Sequence, residues 1–544
     1  MAIVKFPRKE FEKAVGKIDK KMQEKISMFG TPLESLSDDE IEIEIFPNRP
    51  DLYSLQGYLR SFLAFLGKKP GLKSYKVHKP EKNYEVRIDS SVKNIRPYTA
   101  CSIVKNLNFN DEKIKEIIDI QEKLHLTIGR KRKKLAIGIY PLEHIKLPIT
   151  FKAEKPEKIK FQPLDFPREL NGRQILQQHP TGREYAHLLK GKEKFPIFID
   201  SAGEILSMPP IINSEKTGKI TEKTKDVFIE CSGFDFEILK KALNILVTML
   251  ADMNGEIYQM KLHYKKKEIT PDLKPEKMKI SKERINKLLG LNLNDKEIKK
   301  LLAKMGHNYI VNKKEVEIPP YRTDIMHEVD LIEDVAIAYG YSNFVPEIPN
   351  IPGIGEENKK EIKKRKIAEI LVGLDLLEIS TLHLLTKSDL TKGKIKNTIG
   401  VKESRSDFKF LRPNLLIPAL KVLSENVDAE YPQKIFEIGT VFREDKNQES
   451  GIKETEHLVI ALTPGNFTQL KQVLEYLARM LGIKIKIEEG EKEGFIDGRT
   501  GKIIFEEKEI GIIGEVHPSL LKTWHLKMPL ACLEMSLEEI FEKI

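Results

Sequence analysis

The sequence predicts an α+β protein built from several domains, and three observations indicate this fold class. Its 544 residues are too many for one hydrophobic core and suggest about three or four domains. A segment rich in Lys, Pro and Gly at 68–82 and a Pro-rich segment at 345–355 are typical of linkers between folded parts. Helical and strand patterns are mixed along the chain, and strands dominate after residue 430, which favours an antiparallel sheet with flanking helices.

Four domains are expected in order along the chain. They are a small α/β unit at 1–80, a larger mixed domain at 83–265, a winged-helix-like module at 266–345, and an antiparallel sheet with helices at 346–544.

The first domain has the clearest local signals. Glu40–Ile45 alternates strictly between Glu and Ile, which predicts a strand with one buried face. A rigid turn containing two prolines follows, and Asp51 is the expected N-cap of a helix that carries Leu55, Leu59 and Phe62.

The second domain contains a run of five cations, Arg130–Lys134, between a predicted helix at Ile114–Leu126 and an apolar strand at Leu135–Tyr140. Two interpretations of the run stay open: contact with a phosphate backbone, or a solvated loop. Farther along, the segment 209–215 follows a predicted strand at Ile205–Met208. Loops at strand ends often carry ligand-binding groups.

The third domain ends in an acidic helix. Asp324 is the expected N-cap, and the helix is expected to run to about Tyr339. Asp330, Glu333 and Asp334 follow at i, i+3 and i+4, a spacing that predicts converging carboxylates near Asp324. The cluster fits either a Mg²⁺ site or a solvated acidic face near the positive end of the helix dipole.

Composition limits the class of protein without naming a reaction. The net charge of +10 permits a polyanionic partner such as nucleic acid, although many Lys and Glu residues also suit the ion-pair surface of a thermophilic protein. Cys101, Cys231 and Cys532 are isolated, so neither a disulfide framework nor a zinc site is indicated. No apolar run approaches the ~18 residues of a membrane span, and the first residues lack a signal-peptide core, so we expect a cytoplasmic protein with no membrane partner.

Nucleotide-binding loops and hydrolase motifs are absent from the sequence, so the residues alone predict only a basic multidomain protein with an acidic helix and a polar loop. Six motifs that follow one another in order along the chain allow a more specific interpretation. The motifs lie at 46–54, 128–140, 208–215, 320–334, 436–439 and 514–518. Together they resemble the beta subunit family of phenylalanyl-tRNA synthetases, in the shorter archaeal and eukaryotic form.

The resemblance implies a subunit of an (αβ)₂ complex that joins phenylalanine to tRNA(Phe) with ATP. In the family the alpha subunit carries aminoacylation, and the C-terminal domain of the beta subunit has a class II synthetase fold without an active site. The resemblance also implies Mg²⁺ at the acidic helix, with the ligands Asp324, Asp330, Glu333 and Asp334.

The domain at 83–265 resembles the family's editing domain, which hydrolyses tyrosyl-tRNA(Phe). A hydrophobic pocket for phenylalanine rejects an added hydroxyl only ~10²-fold, so a second, hydrolytic site is needed. Glu215 is the expected acceptor for the tyrosine hydroxyl. The looser pocket candidates are Gln121, Arg132, Ser207, Asn213 and Asp226.

Pro141 departs from the family pattern, which has an Asp directly after the strand Leu135–Tyr140. The structure of the pocket wall at this position therefore stays an open question. Two other functions stay open. One is a stand-alone nucleic-acid-binding protein that uses the winged module and the cationic run. The weaker one is a metal-dependent phosphotransferase built on the acidic cluster, which has no phosphate cradle nearby.

Overall fold

The computed structural model describes residues 2–350 and 353–544 and divides into two compact units, Met1–Ile348 and Pro349–Ile544. In this described part of the chain, no helix combines the length and apolar character that a membrane crossing requires.

The first part of unit 1 is a small sheet covered by helices. Its elements are β1 (Ala2–Pro7), α1 (Arg8–Val15), α2 (Lys20–Met28), β2 (Leu33–Leu36), β3 (Glu40–Ile45) and α3 (Leu55–Phe65), with strand order β1-β3-β2. Ile41, Ile43 and Ile45 are fully buried, which confirms the prediction from alternation. Asp51 is not the N-cap of α3. The Ser54 side chain accepts the Gly57 N–H, while Asp51 is buried and paired with Arg49 at 2.9 Å.

The second part of unit 1 is a large mixed sheet with a long central helix. Its elements are β4 (Val77–His78), β5 (Glu85–Ile88), β6 (Tyr98–Lys105), α4 (Asp111–Leu126), β7 (Leu135–Pro141), β8 (Ile149–Glu154), β9 (Lys160–Phe161), β10 (Leu170–Asn171), α5 (Gly172–Gln178), α6 (Pro180–Tyr185), β11 (Phe195–Ile199), β12 (Ile205–Met208), β13 (Ile212–Asn213), α7 (Glu215–Gly218), β14 (Val227–Gly233), α8 (Phe236–Asp252), β15 (Glu256–His263) and β16 (Lys267–Thr270). The main path is β13-β12-β11-β8-β5-β15-β6-β14-β7, and α8 packs on β6 and β14.

The third part of unit 1 has the order of a winged-helix-like module. Its elements are β17 (Glu276–Lys279), α9 (Lys282–Leu289), α10 (Asp295–Lys304), β18 (Asn308–Ile310), β19 (Glu315–Ile318) and α11 (Glu328–Tyr339), with strand order β17-β19-β18. Asn294 caps α10 as its sequence predicts, in a capping box with Glu297.

A buried ion pair joins the three parts of unit 1. Arg60 of α3 donates to Asp252 at the end of α8 at 2.7 Å, and its guanidinium lies 3.7 Å from the ring centre of Tyr321 in the module. Tyr75 donates to the same carboxylate at 3.0 Å. Both charged side chains are 6% exposed, so the pair is screened little by solvent.

Unit 2 is a mostly antiparallel sheet with helices, as predicted. Its elements are α12 (Lys359–Val372), β20 (Leu377–Glu378), β21 (Leu384–Thr386), α13 (Lys387–Lys392), β22 (Phe408–Leu411), α14 (Leu416–Glu425), β23 (Gln433–Glu444), β24 (Ile452–Thr463), α15 (Phe467–Leu481), β25 (Ile485–Glu489), β26 (Phe495–Phe505), β27 (Lys508–Val516), α16 (Pro518–Thr523), β28 (Ala531–Ser536) and α17 (Glu538–Lys543). The strand order is β20-β23-β24-β28-β27-β26-β25, and only β20 pairs in parallel within this described sheet.

Candidate functional site

A cavity of about 410 Å³ lies in the second part of unit 1, between α4, β7 and the segment 207–220. Apolar side chains form about half of its walls. They are Ile114, Ile118, Ala136, Ile137, Ile139, Leu164, Pro209, Pro210, Ile211, Ile212 and Ile220. The cavity is therefore suited to a ligand with an apolar or aromatic group.

One end of the cavity is polar. The hydroxyl of Tyr140 lies 2.8 Å from Ser207 Oγ and 3.3 Å from both Asn213 Oδ1 and Glu230 Oε1. Burial raises the pKa of Glu230 to about 8, although Arg96 partly opposes the rise. At pH 7 this carboxyl is therefore mainly neutral and can donate a hydrogen bond.

Glu230 has a second feature of a binding group. Its side chain is almost fully buried, and Oε2 has no hydrogen-bond partner among the described residues. A buried polar atom without a partner is costly, so Glu230 has unused capacity to bind a polar group of a ligand in the cavity.

A charged network forms another wall. Arg132 donates to Glu122 Oε1 at 2.7 Å and to the Ile211 carbonyl at 2.9 Å, which connects the loop after α4 to the segment after β12. Hydrogen bonding from His125, with support from Arg132, lowers the pKa of Glu122 to about 2. The carboxylate of Glu122 is thus ionised and paired.

His125 lines the cavity, but both of its ring nitrogens are occupied. Nε2 accepts the Ile137 N–H at 2.8 Å, so the ring proton lies on Nδ1, which is 3.2 Å from Glu122 Oε1. Burial lowers the pKa of His125, so the ring is mainly neutral at pH 7. His125 therefore supports the wall and is not arranged to remove a proton from a ligand.

Four of the residues predicted for the pocket line the cavity: Gln121, Arg132, Ser207 and Asn213. Glu215 and Asp226 do not. The Glu215 carboxylate accepts the Asp165 N–H at 2.9 Å and pairs with Lys219 at 3.0 Å, because Glu215 begins the short helix α7 and turns toward that loop. Asp226 accepts the Asn106 N–H at 3.0 Å.

Sequence reasoning missed Glu230 as a lining residue. The available signal was its position in Val227–Gly233, where an acidic side chain interrupts a run of buried apolar residues. A charge inside such a strand needs a partner or a function.

Pro141 does not disturb the cavity wall. It is the last residue of β7, which lies at the end of the sheet path, and it is paired with Val227. The next residue, Leu142, donates its N–H to Asp226 O at 2.9 Å. A proline is tolerated at this position because no ladder hydrogen bond is lost in the sheet interior.

The acidic helix differs from its prediction. Helix α11 begins at Glu328, with His327 as its N-cap, rather than at Asp324. Asp324 is instead held by two hydrogen bonds from Arg322, at 2.8 and 2.7 Å. Asp330 Oδ2 accepts the backbone N–H groups of Met326 and His327 at 2.8 and 2.7 Å, so it closes the first turn of the helix.

Asp334 is buried and faces Arg322 and His307. Its Oδ2 lies 2.9 Å from Arg322 Nη2 and 2.6 Å from His307 Nε2. Burial alone would raise the pKa of Asp334, but Arg322 and His307 hold it below its ordinary value. Glu333 differs from Asp334, because its pKa is raised, mainly by burial and to a smaller extent by the neighbouring carboxylates.

This arrangement does not fit a metal ion. In residues 2–350 and 353–544, no group of three or more His, Cys, Asp or Glu is close enough to hold one. The oxygens of Asp324 and Asp334 already pair with Arg322, and Asp330 caps the helix. Asp324 and Asp334 therefore converge on the guanidinium of Arg322 and not on an open cation site.

Three family models match separate stretches of the chain. The B3/4 domain matches residues 82–254, the tRNA synthetase B5 domain matches 278–341, and the phenylalanyl tRNA synthetase beta chain CLM domain matches 345–537.

Individual proteins match over most or all of the chain. The phenylalanine–tRNA ligase beta subunit of Archaeoglobus fulgidus is 38% identical over 100% of this chain and 99% of its own. That of Pyrococcus horikoshii is 41% identical over 91% of this chain and 90% of its own. A crystal structure of an N-terminal fragment of the phenylalanyl-tRNA synthetase beta subunit from Pyrococcus horikoshii covers 62% of this chain and 99% of the fragment, with 38% identity and a TM-score of 0.60. The chain therefore belongs to the phenylalanine–tRNA ligase beta subunit family.

Proposed function

We propose that this chain pairs with an alpha subunit, in an (αβ)₂ heterotetramer in the cytoplasm, to join phenylalanine to tRNA(Phe) with ATP. Its match along the full length of a ligase beta subunit supports this role. Aminoacylation is assigned to the alpha subunit, and unit 2 is assigned a class II synthetase-like fold without a catalytic site. Nothing in the structure favours the stand-alone nucleic-acid-binding protein or the phosphotransferase.

We further propose that the cavity of unit 1 hydrolyses tyrosyl-tRNA(Phe). The observation that carries this proposal is the neutral, buried Glu230, whose Oε2 has no hydrogen-bond partner among the described residues, beside side chains of Ile and Pro. The apolar walls suit an aromatic ring, and the neutral carboxyl can exchange hydrogen bonds with a phenol hydroxyl. A site with a buried polar group discriminates strongly against a ligand without the matching group, by up to about 10⁴–10⁵-fold.

Glu230 replaces Glu215 as our candidate for recognition of the hydroxyl. Glu215 is assigned an indirect role, because its carboxylate holds the backbone of Asp165, a residue of the cavity lining. Gln121, Arg132, Ser207 and Asn213 complete the pocket in this proposal, and Asp226 is left out because of its contact with Asn106.

Attack on the ester by water fits the groups present. Burial raises the thiol pKa of both Cys101 and Cys231, and neither lines the cavity. His125 has both ring nitrogens in hydrogen bonds, and Ser207 is bonded to Tyr140. The chain's contribution is then to bind the aminoacyl group, orient its ester and exclude bulk water, without a covalent intermediate.

Magnesium is proposed only for the complete ligase complex. The candidate ligands on this chain are Asp324, Asp330, Glu333 and Asp334. Asp324 and Asp334 would be available to a metal only if Arg322 moved away from them, and no step of the proposed hydrolysis involves a metal there.

The test compares two substitutions at Glu230 in the αβ complex. Glu230→Ala removes the hydrogen bond and is expected to slow hydrolysis of tyrosyl-tRNA(Phe) by about 10- to 100-fold at pH 7. Glu230→Gln keeps a neutral donor of similar size and is expected to retain most of the activity. Charging with phenylalanine serves as the control for assembly and folding. Hydrolysis by Glu230→Ala at the wild-type rate would remove Glu230 from the proposed site.

A further inference from the structure

The loop Arg130–Lys134, named here the basic loop, is a folded turn and not a loose connection. Arg130, Lys131 and Arg132 have φ angles of +46°, +54° and +62°, so three consecutive residues with side chains adopt the left-handed region. The Arg132 N–H donates to His125 O at 3.1 Å and the Lys134 N–H to Gly129 O at 2.8 Å. Residues held in this region cluster at functional sites.

The basic loop has one residue inside the cavity and four outside. Arg132 is a lining residue, bonded to Glu122 and to the Ile211 carbonyl and positioned 4.5 Å from the ring centre of Tyr185. The other side chains of the loop are exposed. They belong to Arg130, Lys131, Lys133 and Lys134. Because Arg132 fixes the turn to the cavity wall, the loop that carries these four cations lies beside the cavity.

The four exposed cations are not neutralised by the protein. Within the described residues, none of them has a carboxylate oxygen within 4.0 Å, whereas Arg132 and Lys219 at the cavity both have acidic partners. Asp165, another acidic lining residue, lies 3.9 Å from Lys219. The loop beside the cavity therefore carries positive charge that the described residues do not compensate.

We propose that the basic loop binds the phosphates of the single-stranded 3′ end of the aminoacylated tRNA and guides its ester into the cavity. This inference rests on the proposed editing function. Lysine and arginine side chains bind a phosphate backbone without reading bases, and each contact releases counterions. The rigid turn holds these cations in place before the nucleic acid arrives, so little loop ordering is needed on binding.

The chain provides a matched control for charge alone. Lys265, Lys266 and Lys267 form another run of three exposed lysines in the same part of unit 1, at the turn between β15 and β16. None of the three lines the cavity. Substitution of either lysine set by Gln removes the same charge, so the two variants differ in position and not in net charge.

The experiment uses the αβ complex with Lys131, Lys133 and Lys134 all changed to Gln, and the control with Lys265, Lys266 and Lys267 changed to Gln. In the basic-loop variant, KM for hydrolysis of tyrosyl-tRNA(Phe) is expected to rise about tenfold at about 0.1 M salt. The slope of log KM against log salt concentration is expected to fall by about 2, because each lost contact with a single strand contributes about 0.7 to the slope. The loss should fall on KM rather than on kcat, which distinguishes weaker phosphate binding from a damaged cavity.

Binding without hydrolysis is the second measurement. The Kd is measured for tRNA(Phe) that carries tyrosine through a 3′ amide, which cannot be hydrolysed like the ester, and the basic-loop variant is expected to bind about tenfold more weakly than the control. Equal Kd, KM and salt slope in the two variants would overturn the inference. If the wild-type complex hydrolyses no tyrosyl-tRNA, the proposed editing function fails, while the Kd difference still decides the role of the basic loop.

Discussion

Glu230 and Asp334 are both buried carboxyl groups of unit 1, with 2% and 3% of their surface exposed, but their surroundings act in opposite directions. Burial dominates at Glu230 and raises its pKa to about 8, with Arg96 only partly opposing. At Asp334 the ion pair with Arg322 and the bond to His307 outweigh burial and lower the pKa. The comparison shows that a carboxyl with a direct cationic partner becomes a structural charge, whereas one without it stays neutral and available to a ligand.

The strongest challenge to this comparison is Arg322→Met. The substitution leaves Asp334 buried without its guanidinium and Asp324 without either of its side-chain bonds. Breaking a buried pair from one side costs about 3–5 kcal/mol, so we expect unit 1 to lose about that much stability to urea at pH 7. Arg183→Met, at an exposed residue, is the control and should change stability by less than about 0.5 kcal/mol. A loss below about 1 kcal/mol for Arg322→Met would show that the pair does not hold the module together.

A second experiment measures the stability of wild type and Glu230→Gln against pH. The pKa of Glu230 is about 8 in the folded chain and has an ordinary value of 4.5, so between these values the folded state binds one proton more than the unfolded state. The free energy of unfolding of the wild type therefore falls as pH rises through this range and levels off above pH 8. Between pH 6 and pH 7 the decrease is up to about 1.4 kcal/mol. Gln cannot ionise, so the variant should lack this decrease. Parallel curves for the two proteins would mean that Glu230 is already ionised in the folded chain.

The smallest expected effect is at Glu333, the acidic residue of α11 whose pKa is raised by burial and by neighbouring carboxylates. Glu333→Gln removes like-charge repulsion on a helix surface and should stabilise unit 1 by a few tenths of a kcal/mol, up to about 0.5. Glu328→Gln on the same helix should instead destabilise, because Glu328 accepts the Ser281 N–H at 2.7 Å and pairs with Arg284 at 2.9 Å. The measurement is the urea midpoint without divalent ions, and a destabilising Glu333→Gln would point to a partner for that carboxylate.

Local sequence signals predicted most of the secondary structure. The alternation in Glu40–Ile45 and the cap at Asn294 depend on neighbouring residues only, and each is present. The antiparallel sheet expected after residue 430 is also present, and its strands β26 and β27 are joined by a turn in which Glu506 and Glu507 adopt left-handed conformations.

The candidate sites were predicted less well, because partners distant in the sequence decide them. The spacing of Asp330, Glu333 and Asp334 is compatible with convergence, but His307 and Arg322 draw Asp334 inward. Glu215 and Glu230 could not be distinguished from their neighbours alone. The orientation of Glu215 depends on the Asp165 backbone, 50 residues away, and the environment of Glu230 depends on Tyr140, 90 residues away.

The junction of Arg60, Asp252 and Tyr321 has a consequence for how the protein can be divided. Sequence boundaries near residues 80 and 266 would separate an arginine from its carboxylate and from the aromatic ring that covers it. A cut near residue 80 would leave Arg60 and Asp252 in separate fragments, each a desolvated charge without its counterion, and a cut near residue 266 would remove the ring of Tyr321 from the remaining pair. Both changes favour aggregation or proteolysis over an independently folded fragment. For recombinant work, the whole of Met1–Ile348 is therefore the smallest sensible piece of this half of the chain.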